Sequence, residues 1–294
     1  MPPLSIAYSP CPNDTFVFHA WTHGLLPGAP ALEVRIADID VTNGLAEQGS
    51  LDVLKISYAA LPYVLDEYAL LPSGGALGRG CGPLVLVRDA AEPASLVGRR
   101  VAVPSSRSTA YLLFRLWAAT AVSPAPPGSP GGIGEVVVLP FHEIMPAVRD
   151  GLVDAGLVIH EARFTYHEYG LRSLADLGEV WERETGLPIP LGAIVARRSL
   201  GEQALGVLAR AAADSVRYAW DNPQASRPYV LRHAQEMAPH VVDQHIGLYV
   251  NGHTAAIGDE GYAAVRGLLG RAAVAGLAPA VAPGALDFPV RIGR

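Results

Sequence analysis

Short apolar runs that alternate with helical patterns are the feature of this chain that most constrains its fold. The runs are rich in Val, Ile and Leu, as strands buried in a sheet are. Their alternation with helical segments predicts parallel βαβ units and therefore an α/β fold. The predicted strands lie at residues 4–9, 32–39, 51–57, 83–89, 100–104, 135–140, 152–160 and 186–198.

The order of these strands predicts two lobes with a ligand cleft between them. A chain of 294 residues is long enough for two α/β domains of ordinary size. We place the larger lobe, with a helical C-terminal tail, at residues 1–92 and 192–294, and the smaller lobe at 93–191. Clefts at such domain interfaces are common ligand sites. The Pro- and Gly-rich stretch 121–134 is expected to be a surface loop, and we assign it no role.

Charge and hydropathy exclude several classes of partner. A formal net charge of −6 argues against nucleic acid or an acidic membrane surface as partner. The start of the chain lacks the basic and apolar regions of a secretory signal. The longest apolar stretch, 272–286, is broken by Pro279 and Pro283, so we expect no membrane insertion and a cytoplasmic protein. The oligomeric state is left open.

Neither metal nor cofactor is expected from the motifs. The two cysteines, Cys11 and Cys81, are too few for a disulfide scaffold and lack metal-ligand spacing. None of the nine histidines forms an HExxH pair. The chain also contains no GxGxxG, Walker A or GxSxG motif, so nucleotide cofactors find no support.

Polar residues gather at the carboxyl ends of four predicted strands. Ligands of open parallel sheets bind outside these ends, where loops meet helix N-termini with free N–H groups. We therefore expect one site built from the four clusters. They are residues 9–16, Lys55 with Ser57 and Tyr58, residues 105–110, and His160 with Glu161.

Lys55 is the only lysine among the 22 Lys and Arg residues of the chain. Its ammonium is a compact point charge that a guanidinium does not replace. We interpret it as a substrate-binding cation, together with Ser57; the alternative is a surface cation without a role.

Three further groups are candidate substrate contacts. Hydroxyls at Ser108 and Thr109 open a predicted helix and suit a carboxylate, although plain N-capping needs only one hydroxyl. Asn13 and Asp14 lie in a Pro-rich segment that an ordinary turn also explains. Arg79, beside glycines, could approach a ligand or belong to an interdomain turn.

His160 is the candidate general base. It follows the apolar run AGLVI, so its ring is expected to emerge where a buried strand opens into the cleft. Burial there can hold the imidazole neutral and available as a base near neutral pH. The alternative is a histidine that is only hydrogen-bonded structure. Glu161 could compete for the role, but we expect its side chain on the opposite face.

Several long strings in the first two hundred residues resemble the 1,4-dihydroxy-6-naphthoate synthase family of the futalosine route to menaquinone. The helical tail resembles that family only in general pattern. One mild departure is Ser108, where the family commonly has the first of two threonines. The strings are SPCPNDTF (9–16), LGRGCGPL (77–84), GLVIHEARFTY (156–166) and LGEVWERETGLPIPLG (177–192).

The resemblance implies a two-lobed, type II periplasmic-binding-protein-like fold. It also implies a lyase that converts cyclic dehypoxanthine futalosine, a small-molecule carboxylate, to 1,4-dihydroxy-6-naphthoate without a cofactor or metal. The family's proposed base corresponds to His160. Its substrate contacts correspond to the segment with Lys55 and Ser57 and to Ser108 and Thr109.

Two rival functions share this fold. A chorismate dehydratase-like enzyme is disfavoured by the strings SPCPNDTF and IHEARFTY. A non-catalytic solute-binding protein working outside the membrane would need a signal peptide or lipid anchor, which we do not find.

Overall fold

The computed structural model describes residues 2–122, 132–160, 162–234 and 238–290. Glu161 and most of the predicted Pro/Gly loop, residues 123–131, lie outside the described residues.

Strands and helices alternate along most of the described chain. The strands are β1 (Leu4–Tyr8), β2 (Leu32–Ile36), β3 (Val53–Ser57), β4 (Tyr68–Leu70), β5 (Ala76–Gly78), β6 (Leu84–Val87), β7 (Arg100–Val103), β8 (Glu135–Val138), β9 (Ala155–Val158), β10 (Arg172–Asp176) and β11 (Ile189–Arg197). The helices are α1 (Pro12–Thr22), α2 (Ile39–Glu47), α3 (Thr109–Ala121), α4 (Phe141–Arg149), α5 (Ala162–Thr165), α6 (Leu177–Thr185), α7 (Glu202–Asp221), α8 (Pro223–His233), α9 (Pro239–Tyr249), α10 (Gly252–Ala255) and α11 (Gly258–Val274).

Two mixed sheets form the centres of two lobes. The sheet of the first lobe has the order β2-β1-β3-β11-β4, and β5 also pairs with β11. The sheet of the second lobe has the order β10-β6-β9-β7-β8. Pairing is parallel between β1 and β2, β1 and β3, β7 and β8, and β7 and β9, as the βαβ pattern predicts. It is antiparallel wherever β11 or β6 meets a neighbour, which the prediction of parallel units missed.

The predicted lobe boundary at residue 92 is wrong by one strand. Strand β6 pairs with β9 and β10 in the second sheet, so the chain first crosses between the lobes at residues 79–83. All four side chains of β6 are apolar and buried, so they suit the interior of either sheet. The return crossing, at 186–188, precedes β11. The predicted boundary at 192 therefore falls inside a strand.

The two crossings lie side by side. The Arg79 guanidinium donates a hydrogen bond of 2.9 Å to the carbonyl of Gly186, which joins one crossing to the other. Gly82 packs against the backbone of Gly178, where an added Cβ would lie 2.1 Å from the Gly178 nitrogen. Only a residue without a side chain fits at position 82 without displacing α6.

Helix α1 is buried along almost its whole length, because it is packed against α7, α8 and α9. Pro12 occupies the first turn, where its fixed φ suits a helix start. The N-terminus of α1 follows β1, as the N-terminus of α3 follows β7, so both helix starts lie at carboxyl ends of strands. In the described part of the chain, no helix combines the length and the hydrophobicity that a membrane-spanning helix requires.

Candidate active site

A cavity of about 70 Å³ lies between the lobes, beside the carboxyl ends of β1, β3, β7 and β9. It brings together seven of the eight residues that the sequence singled out. A larger cavity of about 370 Å³ shares Ser9, Ile39, Ile159 and His160 with it and also touches Cys11 and Phe141. The predicted residues that line the smaller cavity, together with others, are Asn13, Asp14, Lys55, Ser57, Ser108, Thr109 and His160.

Lys55 and Asp14 form a buried ion pair in the first lobe. Lys55 Nζ donates to Asp14 Oδ1 at 2.8 Å, and each side chain is 4% exposed. Nζ also donates to the carbonyl of Gly74 at 3.3 Å. The sole lysine is therefore not a surface cation, and its charge is balanced within the protein.

The Asp14 carboxylate is the centre of a wider hydrogen-bond network. Ser9 Oγ donates to Asp14 Oδ2 at 2.7 Å, and Asn13 Nδ2 donates to Asp14 Oδ1 at 2.8 Å. Asn13 Oδ1 in turn lies 2.9 Å from Nε2 of His245. Since the Asn13 oxygen can only accept, His245 Nε2 carries the proton and donates. A buried carboxylate with this many donors holds a fixed orientation.

Asn43 holds Ser57 in place. The Asn43 side chain accepts from the Ser57 backbone N–H at 2.8 Å and donates to Ser57 Oγ at 3.2 Å. Because the Ser57 hydroxyl accepts there, its own proton can be donated to a ligand in the cavity.

The hydroxyls of Ser108 and Thr109 are engaged within the protein. Ser108 is the N-cap of α3: its Oγ accepts from the Tyr111 N–H at 3.1 Å, so the capping alternative describes it correctly. Thr109 Oγ1 donates to the carbonyl of Leu191 at 2.7 Å and accepts from the Ala59 N–H at 3.2 Å. Both of these partners belong to the first lobe, so Thr109 joins the two lobes across the cleft.

His160 follows strand β9 with a left-handed backbone. Its φ of 55° is the one positive φ among the described non-glycine residues. Such strained positions concentrate at functional sites. Its ring is half-buried at the cavity wall, with Nδ1 3.5 Å from Cys11 Sγ. Removal from water lowers the pKa of His160 to about 4, with the nearby Asp14 carboxylate opposing this shift and Lys55 reinforcing it. The imidazole is therefore neutral near pH 7.

Arg79, the remaining predicted substrate contact, lies outside the cavity. Its side chain is 46% exposed and pairs with Glu260 at 2.7 Å and with Glu182 at 3.9 Å. The interdomain turn is the alternative that agrees with this position.

Cys81 lines the cavity, and burial raises the pKa of its thiol to about 12, so the thiol is protonated at neutral pH. Within the described ranges, no three His, Cys, Asp or Glu side chains are grouped as a metal ion would require.

His245 is a residue of the site that the sequence patterns did not single out. The residue is fully buried, and its ring stacks on that of His160 with centroids 6.0 Å apart. The spacing of Val241, Val242, His245 and Tyr249 repeats at three to four residues, which is the signal that could have placed His245 on the buried face of α9.

Comparison with known proteins identifies the family. The family model described as Menaquinone biosynthesis matches residues 4–274. A 1,4-dihydroxy-6-naphthoate synthase of Streptomyces coelicolor is 72% identical over 97% of this chain and 98% of its own length. The enzyme of the same name from Thermus thermophilus is 44% identical over 95% of this chain and 97% of its own.

Solved structures agree with the two-lobed architecture. A protein of Archaeoglobus fulgidus superposes with a TM-score of 0.83 at 32% identity, covering 93% of this chain and 98% of the other. A Candida albicans protein described as having the generic periplasmic binding protein fold gives a TM-score of 0.71 at 13% identity, with coverage of 98% and 94%. The predicted fold is thus confirmed. Because the family model matches most of its length and two bacterial 1,4-dihydroxy-6-naphthoate synthases are similar to it in sequence, the chain belongs to the menaquinone biosynthesis family.

Proposed function

We propose that this protein is a carbon–carbon lyase that converts cyclic dehypoxanthine futalosine to 1,4-dihydroxy-6-naphthoate, with His160 as general base. The names of the two bacterial relatives support the product. The observation that carries the proposal is a neutral imidazole on a strained backbone, placed at the wall of a cavity that offers donors to a carboxylate.

The carboxylate end of the substrate is bound by the first-lobe wall and the start of α3. An ammonium has three N–H donors, and Asp14 and Gly74 accept two of those of Lys55. The third, together with the Ser57 hydroxyl, is available to an anion. The first backbone N–H groups of α3 add donors and a favourable helix dipole. Ser108 and Thr109 hold this helix start in place, rather than giving their hydroxyl protons to the ligand.

His160 removes the proton that starts the reaction. The imidazole takes a hydroxyl proton of the bound substrate, and the electron pair left on that oxygen forms the carbonyl of the departing fragment as the carbon–carbon bond to the ring system breaks. The electron pair of the broken bond passes into the ring system, the imidazolium returns its proton there, and the ring system becomes the aromatic naphthol. Burial and the Lys55 charge disfavour the imidazolium formed, and the Asp14 carboxylate partly offsets them by favouring the protonated form. One positioned base contributes about 10²–10⁴-fold to the rate. Orientation of the substrate in a narrow, water-excluding cavity supplies more.

Replacement of the base tests the proposal. In His160→Asn, an amide replaces the imidazole, and asparagine tolerates a positive φ well. We expect turnover of cyclic dehypoxanthine futalosine to fall at least about a hundredfold while substrate affinity changes little. His167→Asn is the matched control, since that histidine is exposed on the segment that follows. Formation of 1,4-dihydroxy-6-naphthoate, followed by chromatography, is the measurement.

Two results would contradict the proposal in different ways. Near-parental turnover by His160→Asn would remove His160 as base and leave Asp14 or Glu161 as the candidate. Failure of the parental protein to convert cyclic dehypoxanthine futalosine would overturn the reaction itself.

A further inference from the structure

We propose that His245 is a positioning residue, which holds the His160 ring in the orientation and tautomer that proton abstraction requires. The inference rests on the proposed role of His160 as base. His245 belongs to α9 of the first lobe, whereas His160 follows β9 of the second, so this contact joins the reactive group to the opposite wall of the cleft.

The His245 ring is close to parallel with the His160 ring and lies beside it. The two rings are inclined by 23°, and their centroids are 6.0 Å apart. The centroid of the Tyr249 ring lies 4.5 Å from that of His245. His245 is 0% exposed. A ring enclosed in this way cannot turn without displacing its neighbours, so it presents a fixed surface to His160.

Hydrogen bonds fix the orientation of His245 itself. Its Nε2–H donates to Asn13 Oδ1, and Asn13 Nδ2 donates to Asp14 Oδ1. Asp14 is held by Lys55 and Ser9. The His245 ring is therefore anchored to the most strongly bonded part of the site through one amide. Burial and the neighbouring His160 lower the pKa of His245 well below its usual value, so it presents no positive charge to an imidazolium at His160.

The His160 ring makes two further contacts, with Phe141 and with Cys11. Phe141 meets it edge to face at 5.6 Å, and Cys11 Sγ lies 3.5 Å from Nδ1. If Nδ1–H donates to the sulfur, the lone pair is on Nε2, which is then the nitrogen that accepts the substrate proton. Among the described residues, the charged groups that affect the pKa of His160 are Asp14 and Lys55. We expect His245 to prevent the His160 ring from rotating, so that Nδ1 stays beside Cys11 Sγ and Nε2 stays available to the substrate.

Two substitutions separate the two properties of His245. His245→Phe keeps an aromatic face but loses the N–H donor to Asn13, and His245→Gln keeps an amide N–H but loses the ring. We expect kcat to fall about tenfold or more in each, with KM within about threefold of the parental value. His253→Gln, at a partly buried histidine of α10 outside the cavity lining, is the control and should retain parental kcat.

The decisive measurement places each substitution in the His160→Asn background. A residue that acts through His160 has nothing left to position there, so the double variants should turn over substrate within about twofold of His160→Asn alone. Imidazole ¹⁵N NMR of the ¹⁵N-histidine protein, with His160→Asn for assignment, should show Nδ1–H at His160 in the parent and a mixture of tautomers in the His245 variants.

Three results would overturn the positioning role. These are a parental kcat in both single variants, an equal further loss of kcat in the His160→Asn background, or an unchanged His160 tautomer in the variants. If His245→Phe does not fold, His245→Gln decides alone. Near-parental turnover by His160→Asn is a separate failure, that of the base assignment, and it is read from a different variant.

Discussion

The two walls of the cleft are built in different ways. In the first lobe, Asp14, Lys55 and Ser57 are each held by hydrogen bonds from residues of the same lobe. In the second lobe, His160 has a left-handed backbone, and two of its ring contacts, Cys11 and His245, come from the first lobe. The hydrogen bonds of the first-lobe wall are thus made within its own lobe, whereas the contacts of the proposed base include residues of the opposite lobe.

This difference indicates where binding and chemistry can be separated. A wall with its own hydrogen bonds can hold a carboxylate before the cleft narrows. If His160 is the base, its contacts with the opposite wall place it correctly only afterwards, when water has been excluded from the cavity. Substitutions of Asp14 or Lys55 should therefore act mainly on stability and substrate binding, whereas substitution of His160 should act mainly on turnover.

The largest effect is expected from breaking the ion pair. Asp14→Ala leaves the Lys55 ammonium buried without its carboxylate, which should lower the free energy of unfolding by about 3–5 kcal/mol. The double variant Asp14→Leu, Lys55→Met should recover most of that stability but not substrate binding. Denaturant unfolding is the measurement, with exposed Asp66→Ala as control. If Asp14→Ala lowers the free energy of unfolding by no more than about 1 kcal/mol, the stability of the first lobe does not depend on the Lys55–Asp14 ion pair.

A pH dependence of stability is expected from the other wall. Burial lowers the pKa of His160 to about 4 in the folded protein, against about 6.5 in an unfolded chain. Between these values the unfolded state binds more protons, so the free energy of unfolding falls as the pH decreases, by up to about 1.4 kcal/mol per pH unit.

His160→Asn should reduce this slope between pH 6.5 and 4, measured by denaturant unfolding at each pH, whereas the difference between the two proteins should be constant above pH 7. Equal slopes would contradict the lowered pKa of His160.

Thr109→Val tests the connection between the walls. The Thr109 hydroxyl bonds Leu191 and Ala59 across the cleft, so its loss should cost about 1–3 kcal/mol and raise KM, since the closed arrangement is less populated. Thr109→Ser keeps the hydroxyl and is the control. Ser108→Ala removes the cap of α3 and a hydrogen bond to the Ser105 carbonyl, both within the second lobe, and should cost about 1–2 kcal/mol without a change in KM. Equal KM values for Thr109→Val and Ser108→Ala would show that the hydrogen bonds of Thr109 across the cleft have no special effect on substrate binding.

The smallest effect is expected at Arg79. Its exposed ion pairs should contribute at most about 1 kcal/mol to the free energy of unfolding, so Arg79→Ala should leave kcat and KM unchanged. A tenfold rise in KM would restore the substrate contact that the sequence predicted.

The fold and most of the site follow from patterns that are local in the chain. Short apolar strands predict the α/β class, and the rule that ligands lie at carboxyl ends of strands predicts a shared cavity for Asp14, Lys55 and His160, which is where the structure places them. These predictions need only the direction of each strand and the residues that follow it.

What the sequence did not predict depends on pairing between distant segments. The residues of β6, LVLV, are all apolar and buried, so their pattern does not indicate with which of the two sheets the strand pairs. The Thr109 hydroxyl could serve a ligand or the carbonyl of Leu191, and only the packing of the lobes decides. His245 was overlooked because its immediate neighbours Asp243 and Gln244 are polar, and its burial is created by α1, more than two hundred residues earlier.

The adjacency of the two chain crossings restricts how the molecule can move. Segments 79–83 and 186–188 are joined by the bond from Arg79 to Gly186, and Gly82 is in close contact with Gly178. Two bodies connected at neighbouring points can rotate about the line through those points, but they cannot slide apart or twist freely. We expect the lobes to separate as a hinge about this axis. Because the His160 ring lies beside the first-lobe side chains of Cys11 and His245, rotation of the lobes would separate the proposed base from them, so we expect turnover to depend on the opening angle.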